Sequence, residues 1–149
     1  MKINRRYIVK KYHEFNKEYF SNQISGEICV DFQELWTKDR LAECGRSKMA
    51  SIFRTTVYIM NNIYFNKHLL KFDLSSDVID TILVHEMIHL YLMDYTRKIK
   101  NHGTVFQREC RRIKKLNPNL DLCYNRSRSI RKSKIPKYWE FCKEEVNEK

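Results

Sequence analysis

The residues best equipped for chemistry lie in one run, Thr81-Ile82-Leu83-Val84-His85-Glu86-Met87-Ile88-His89-Leu90-Tyr91-Leu92. Its neighbours are so uniformly apolar that the run reads as a helix buried on most of its faces, where ionisable groups are costly unless something satisfies them. On a helix, His85 and His89 lie four residues apart on one face and can direct both imidazoles at a single ion. Zinc suits such ligands. Glu86 is rotated about 100 degrees from His85 and can reach a water beside the ion without ligating it. A carboxylate placed there can take the proton of an attacking water and pass it to a leaving amine, so the expected reaction is hydrolysis of a peptide bond.

Two histidines leave a third protein ligand to find. In the pattern HExxHxxGxxH the positions of the Gly and the last His are filled here by Leu92 and Tyr95, which excludes that class of zinc protease. His102 sits in the loop Lys100-Asn101-His102-Gly103-Thr104, immediately before an expected helix, where a side chain can be aimed back at the first pair. Glu109 falls within the apolar stripe of that helix and is the alternative ligand, or a partner for a nearby arginine. His102 is preferred. Tyr91 and Tyr95 are the candidates for stabilising an oxyanion. The bland alternative is a pair of core histidines satisfied by hydrogen bonds, with Glu86 paired to a base.

The elements that must position these residues follow from periodicity. Ile8, Tyr12, Phe15 and Tyr19 predict an amphipathic helix over residues 7–20. Ile28, Val30 and Phe32 alternate with Cys29 and Asp31, as a half-buried strand does. The β-prone runs 49–54 and 56–60 are placed to form a hairpin, followed by a mixed connector over 61–74. Ser75-Ser76-Asp77 supplies capping oxygens and early negative charge for the histidine helix, which should run to about Asp94. Thr104 to Gln107 has the spacing of a capping box, and Phe106, Cys110, Ile113 and Leu116 form the stripe of a second helix that Asn117-Pro118 stops. Tyr138, Trp139, Phe141 and Val146 suggest a short terminal helix that docks back. The expected organisation is a core over 1–125 and a basic tail over 126–149.

Composition narrows the function classes. A chain of 149 residues with 42% hydrophobic residues can build one core without staples. Five scattered cysteines with no CxxC pair fit neither a disulfide framework nor a zinc ribbon, and are read as reduced thiols in a cytoplasmic protein. The start of the chain lacks the apolar region of a secretory signal, and the most apolar segment is too short and too interrupted to span a bilayer. Three glycines exclude the glycine-rich phosphate loops of common nucleotide enzymes. The net charge of +11 is regional: residues 97–137 carry fourteen basic against two acidic side chains, a net +12. Such a region suggests a polyanionic partner, single-stranded or non-specifically bound DNA, reached through Arg108, Arg111, Arg112, Lys115, Arg126, Arg128, Arg131 and Lys132. Tyr124, Tyr138 and Trp139 are candidates for base stacking, although core packing is the better expectation for them.

The segment 85–92 followed by His102-Gly103-Thr104-Val105-Phe106 resembles the SprT-like domain, the metalloprotease family that includes Spartan, and Phe15-Asn16-Lys17-Glu18-Tyr19-Phe20 is similar to its helical Asn-x-x-(Tyr)-Phe element. The resemblance implies an α+β, zincin-like fold with an N-terminal helix, a small antiparallel sheet, a central HExxH helix and a second helix behind it. It implies zinc on His85, His89 and His102, Glu86 as catalytic base, and, in the Spartan branch, a DNA-activated protease acting on proteins crosslinked to DNA. The cysteine zinc ribbon that follows the core in many members has no counterpart here, since Cys123 and Cys142 stand alone. A monomer without a membrane span is expected. The competing reading is a basic nucleic-acid-binding protein whose zinc site is structural or inactive.

Overall fold

The computed structural model describes residues 1–50, 57–95, 102–122 and 130–144, with the side chains of Ala50 and Tyr95 left out. Helix α1 spans Arg5–Phe20. Asn4 starts it by accepting from the Tyr7 N–H at 2.9 Å. It ends where Ser21 and Asn22 turn left-handed (φ 51° and 58°) and the Asn22 N–H returns to Asn16 O at 2.8 Å. Its buried stripe is Ile8, Tyr12, Phe15, Tyr19 and Phe20, with Asn16 buried beside it. The Asn16 amide is satisfied there, because it donates to Ile24 O and accepts from Ile24 N, closing the loop after the helix.

Three strands follow: β1 (Glu27–Gln33), β2 (Ala42–Ala50) and β3 (Val57–Asn66), in the spatial order β1-β3-β2. Strands β2 and β3 pair antiparallel as a hairpin, but β2 begins at Ala42, seven residues ahead of the expected run 49–54, whose segment 51–54 lies outside the described residues. The sheet as a whole is mixed rather than wholly antiparallel. The chain crosses from one edge strand to the other before β3 returns between them, so β1 and β3 run parallel. The expected connector over 61–74 is corrected as well: residues 61–66 complete β3, and the chain leaves the sheet only at Lys67, first as a 3-10 turn over Lys67–Lys71. The inner face carries three rows across β1, β3 and β2, namely Phe32-Phe65-Ala42, Val30-Ile63-Cys44 and Ile28-Asn61-Arg46. Gly26 leads into β1 at φ 89°, and a Cβ there would meet Ile59 O at 2.5 Å, so this turn requires glycine.

Helix α2 (Ser76–Tyr95) packs on α1 and on β2. Helix α3 (Thr104–Leu116) lies against α2 and buries Phe106, Cys110 and Ile113. Its expected capping box does not form: Gly103 occupies the cap position without a side-chain bond, and Gln107 Nε2 reaches back to His102 O at 3.3 Å. Helix α4 (Pro136–Glu144) docks on the core, as expected of the terminal segment. Tyr138 and Trp139 are buried, the Tyr138 hydroxyl donates to Lys38 O at 2.5 Å, and Ile130 and Ile135 join the same apolar cluster. The result is an α+β architecture, consistent with the zincin-like expectation, with α2 at its centre. Among the described residues, no helix is long and apolar enough to cross a membrane.

Candidate metal centre

Every residue from 78 to 88 of α2 is buried, so each polar side chain in that span must be accounted for. Ser75 Oγ accepts from the Val78 N–H at 3.4 Å near the start of the helix. Thr81 Oγ1 donates to Asp77 O at 2.7 Å, and Asp80 accepts from the Tyr7 hydroxyl at 2.8 Å. That leaves His85 and Glu86, both buried, with His89 one turn further on.

The three imidazoles converge. His102 Nε2 lies 3.0 Å from His85 Nε2 and 3.0 Å from His89 Nε2. One ligand atom from each ring falls within 4.8 Å of the other two, an arrangement that could hold a metal ion. A tetrahedral zinc with bonds of ~2.0–2.1 Å would hold such nitrogens about 3.3 Å apart, close to what the rings already present. Phe106, one turn into α3, backs all three rings, with centroids 4.9, 4.5 and 4.8 Å from those of His85, His89 and His102. Among the described residues, His85 Nδ1 is buried without a hydrogen-bond partner, so Nε2 is the nitrogen through which the ring engages the cluster. Burial, reinforced by the neighbouring imidazoles, holds His85 well below its usual pKa and brings His89 down to about 4. Both rings are therefore neutral near pH 7, the form in which a ring nitrogen offers a lone pair to a cation. The donor set and its geometry fit zinc.

Glu86 projects from α2 toward β2, where it meets Cys44. Its carboxyl group lies against the Cys44 thiol, and burial pushes its pKa up to about 7 against the lowering effect of that neighbour. Burial first, and the Glu86 charge second, push the Cys44 thiol upward, so it stays protonated. Glu109, the alternative third ligand, is occupied elsewhere: Arg112 Nε donates to its Oε2 at 2.8 Å, the arginine pairing anticipated as its other role. Tyr91 is half-buried with its ring 5.1 Å from that of Phe20, and the side chain of Tyr95 lies outside the described residues.

The basic residues divide. Arg108, Arg111 and Lys115 are exposed on α3. Arg112 turns inward, its guanidinium donating to Tyr19 O at 2.8 Å as well as to Glu109. Arg131 pairs with Asp121 at 3.2 Å, Lys132 lies over the Trp139 ring at 5.3 Å, and Arg126 and Arg128 fall outside the described residues. Of the aromatic candidates, Tyr138 and Trp139 belong to the core and Tyr124 is outside the described residues. Sequence reasoning passed over Cys44, Arg46 and Trp36. Trp36 is 93% exposed between β1 and β2, and nothing in its sequence neighbourhood distinguishes it from a core tryptophan. Cys44 and Arg46 belong to a strand with no apolar alternation to reveal which side chains point inward.

A family model, that of the SprT-like family, matches residues 8–127, most of the chain. No curated protein and no solved structure matches.

Proposed function

This chain belongs to the SprT-like family, and from that premise we propose that it is a zinc metallopeptidase, with His85, His89 and His102 as ligands and Glu86 as general base. The observation that carries the reading is the meeting of three imidazoles beside a buried carboxyl group one residue from the first of them. Zinc bound there supplies Lewis acidity toward a peptide carbonyl and toward water. The protein's own residues do the rest. His85 and His89 hold their positions because α2 is buried on all sides over residues 78–88 and His89 follows directly, and His102 is held by the turn before α3, where Gln107 binds its carbonyl oxygen. Glu86 takes a proton from the attacking water and gives it to the departing amine. A carboxyl group brought to about 7 by burial is suited to both halves of that exchange near neutral pH.

The substrates, in this reading, are proteins associated with or crosslinked to DNA. Arg108, Arg111 and Lys115 are exposed on the helix that begins two residues after His102, so a phosphate backbone held there lies on the element next to the site. The same reading places the protein in the cytoplasm, in keeping with the reduced thiols of Cys29, Cys44 and Cys142, and as a monomer.

The test is cleavage of a basic DNA-binding protein by zinc-loaded wild type and Glu86→Gln, with and without single-stranded DNA. Wild type should cleave, more rapidly with DNA, while Glu86→Gln keeps its zinc and loses roughly 10²–10⁴-fold in rate. Equal activity of the two proteins would remove Glu86 from the reaction, and cleavage indifferent to DNA would remove the nucleic-acid partner.

A further inference from the structure

Strand β2 and helix α2 meet at matched intervals. Cys44 and Arg46 are two residues apart on one face of the strand, an advance of about 6.6 Å. Glu86 and Leu90 are four residues apart on the helix, an advance of about 6 Å. The contacts fall in step: the Cys44 thiol meets the Glu86 carboxyl group, and Arg46 Nη2 donates to Leu90 O at 3.4 Å. Arg46 also pairs with Asp94 at the end of α2, and its side chain is only 8% exposed.

This second contact is itself locked in place. Arg46 Nε donates to Asn61 Oδ1 at 2.8 Å, while Asn61 Nδ2 donates to Ser25 O at 2.6 Å and to the Tyr12 hydroxyl at 3.3 Å. Asp94 accepts from Ser25 Oγ at 3.1 Å. The network ties β2, β3, α1 and the loop before β1 to the last turns of α2, and so fixes the register of β2 against the helix. With that register set, Cys44 has one place to be, against Glu86.

We propose that Cys44 is a positioning residue for hydrolysis: its S–H donates to the Glu86 carboxylate and fixes the orientation from which that group reaches its proton. A buried carboxylate on a helix keeps free rotation about its terminal torsion unless something holds it, and a strand side chain in fixed register does so. The inference rests on the assignment of Glu86 as base.

The experiment uses full-length, zinc-loaded wild type, Cys44→Ala, Cys44→Ser and Glu86→Gln. Cys44→Ala should lower kcat roughly tenfold with KM and zinc content unchanged, and Cys44→Ser, which restores a donor, should recover most of the loss. The S–H stretching band of Cys44, isolated as the infrared difference between wild type and Cys44→Ser, should move to higher frequency in Glu86→Gln, where the acceptor is weaker. A Cys44→Ala enzyme with wild-type kcat, a serine variant no better than alanine, or a band that ignores Glu86→Gln would overturn the proposal. A zinc-loaded wild type with no peptidase activity would instead defeat the peptidase reading, and the infrared band would still decide whether the thiol holds the carboxylate.

Discussion

Helices α2 and α3 supply the candidate site between them, yet they are built on opposite terms. Helix α2 is buried all round over residues 78–88, so a polar side chain in that span needs a reason to be there. Helix α3 buries only Phe106, Cys110 and Ile113 and turns Arg108, Arg111 and Lys115 to solvent, where charge costs nothing and explains little. A histidine in the first helix is therefore strong information about chemistry. An arginine on the second is weak information about partners.

The sharpest way to break that contrast is to exchange the roles of His102 and Glu109, at the two ends of the first turns of α3. His102→Ala should take zinc from one ion per chain to almost none, while Glu109→Ala, which frees Arg112 instead, should keep the metal. Metal analysis after desalting decides between them, and the opposite pattern would make Glu109 the ligand. Stability comes next in size. Leu83→Ala in the buried span of α2 should cost ~2–5 kcal/mol by urea denaturation. Arg111→Ala on the open face of α3 should stay within about 0.5 kcal/mol of wild type. Comparable losses at the two positions would erase the distinction between the helices.

The smallest effect is the pH dependence of the metal-free protein. His85 and His89 have pKa values lowered in the fold, so the unfolded chain binds more protons. Their contribution is complete above the ordinary value of 6.5 and is lost as pH falls, that of His89 through about 4. Glu86 acts in the opposite sense. Raised to about 7, it binds more protons when folded, and its contribution is complete below 4.5 and lost as pH rises through 7. The two slopes oppose each other between pH 4.5 and 6.5, leaving wild type with a shallow profile. Glu86→Gln removes one slope, so the stability of the variant relative to wild type should grow as pH rises from 4.5 to 7. A difference that is flat with pH would contradict the buried-carboxyl account.

The same contrast explains what could be read without the structure. The histidine pair, the loop histidine and helices α1, α2 and α3 were legible because apolar periodicity and ligand spacing are local properties of sequence. Strand β3 was cut short at Asn61 because it contains Asn61 and Asn66, residues that usually mark turns. Each is buried by distant partners: Asn66 Nδ2 donates to Arg40 O at 2.9 Å, and Asn61 Nδ2 to Ser25 O. Strand β2 hid Cys44 and Arg46 for the same reason, since the burial of Arg46 depends on Asp94, which is distant in the chain. Thr104 and Gln107 show the reverse error, in which a familiar spacing formed no capping box and the glutamine instead took hold of the loop that carries His102.

The central claim is an open site closed on the protein side by three imidazoles, and X-ray absorption at the zinc edge of the zinc-loaded chain reads it directly. The expected spectrum has three imidazole nitrogens at ~2.0–2.1 Å and one further light ligand from solvent. A sulfur at ~2.3 Å, which would point to Cys44, or a shell completed by a fourth protein ligand, would contradict the account.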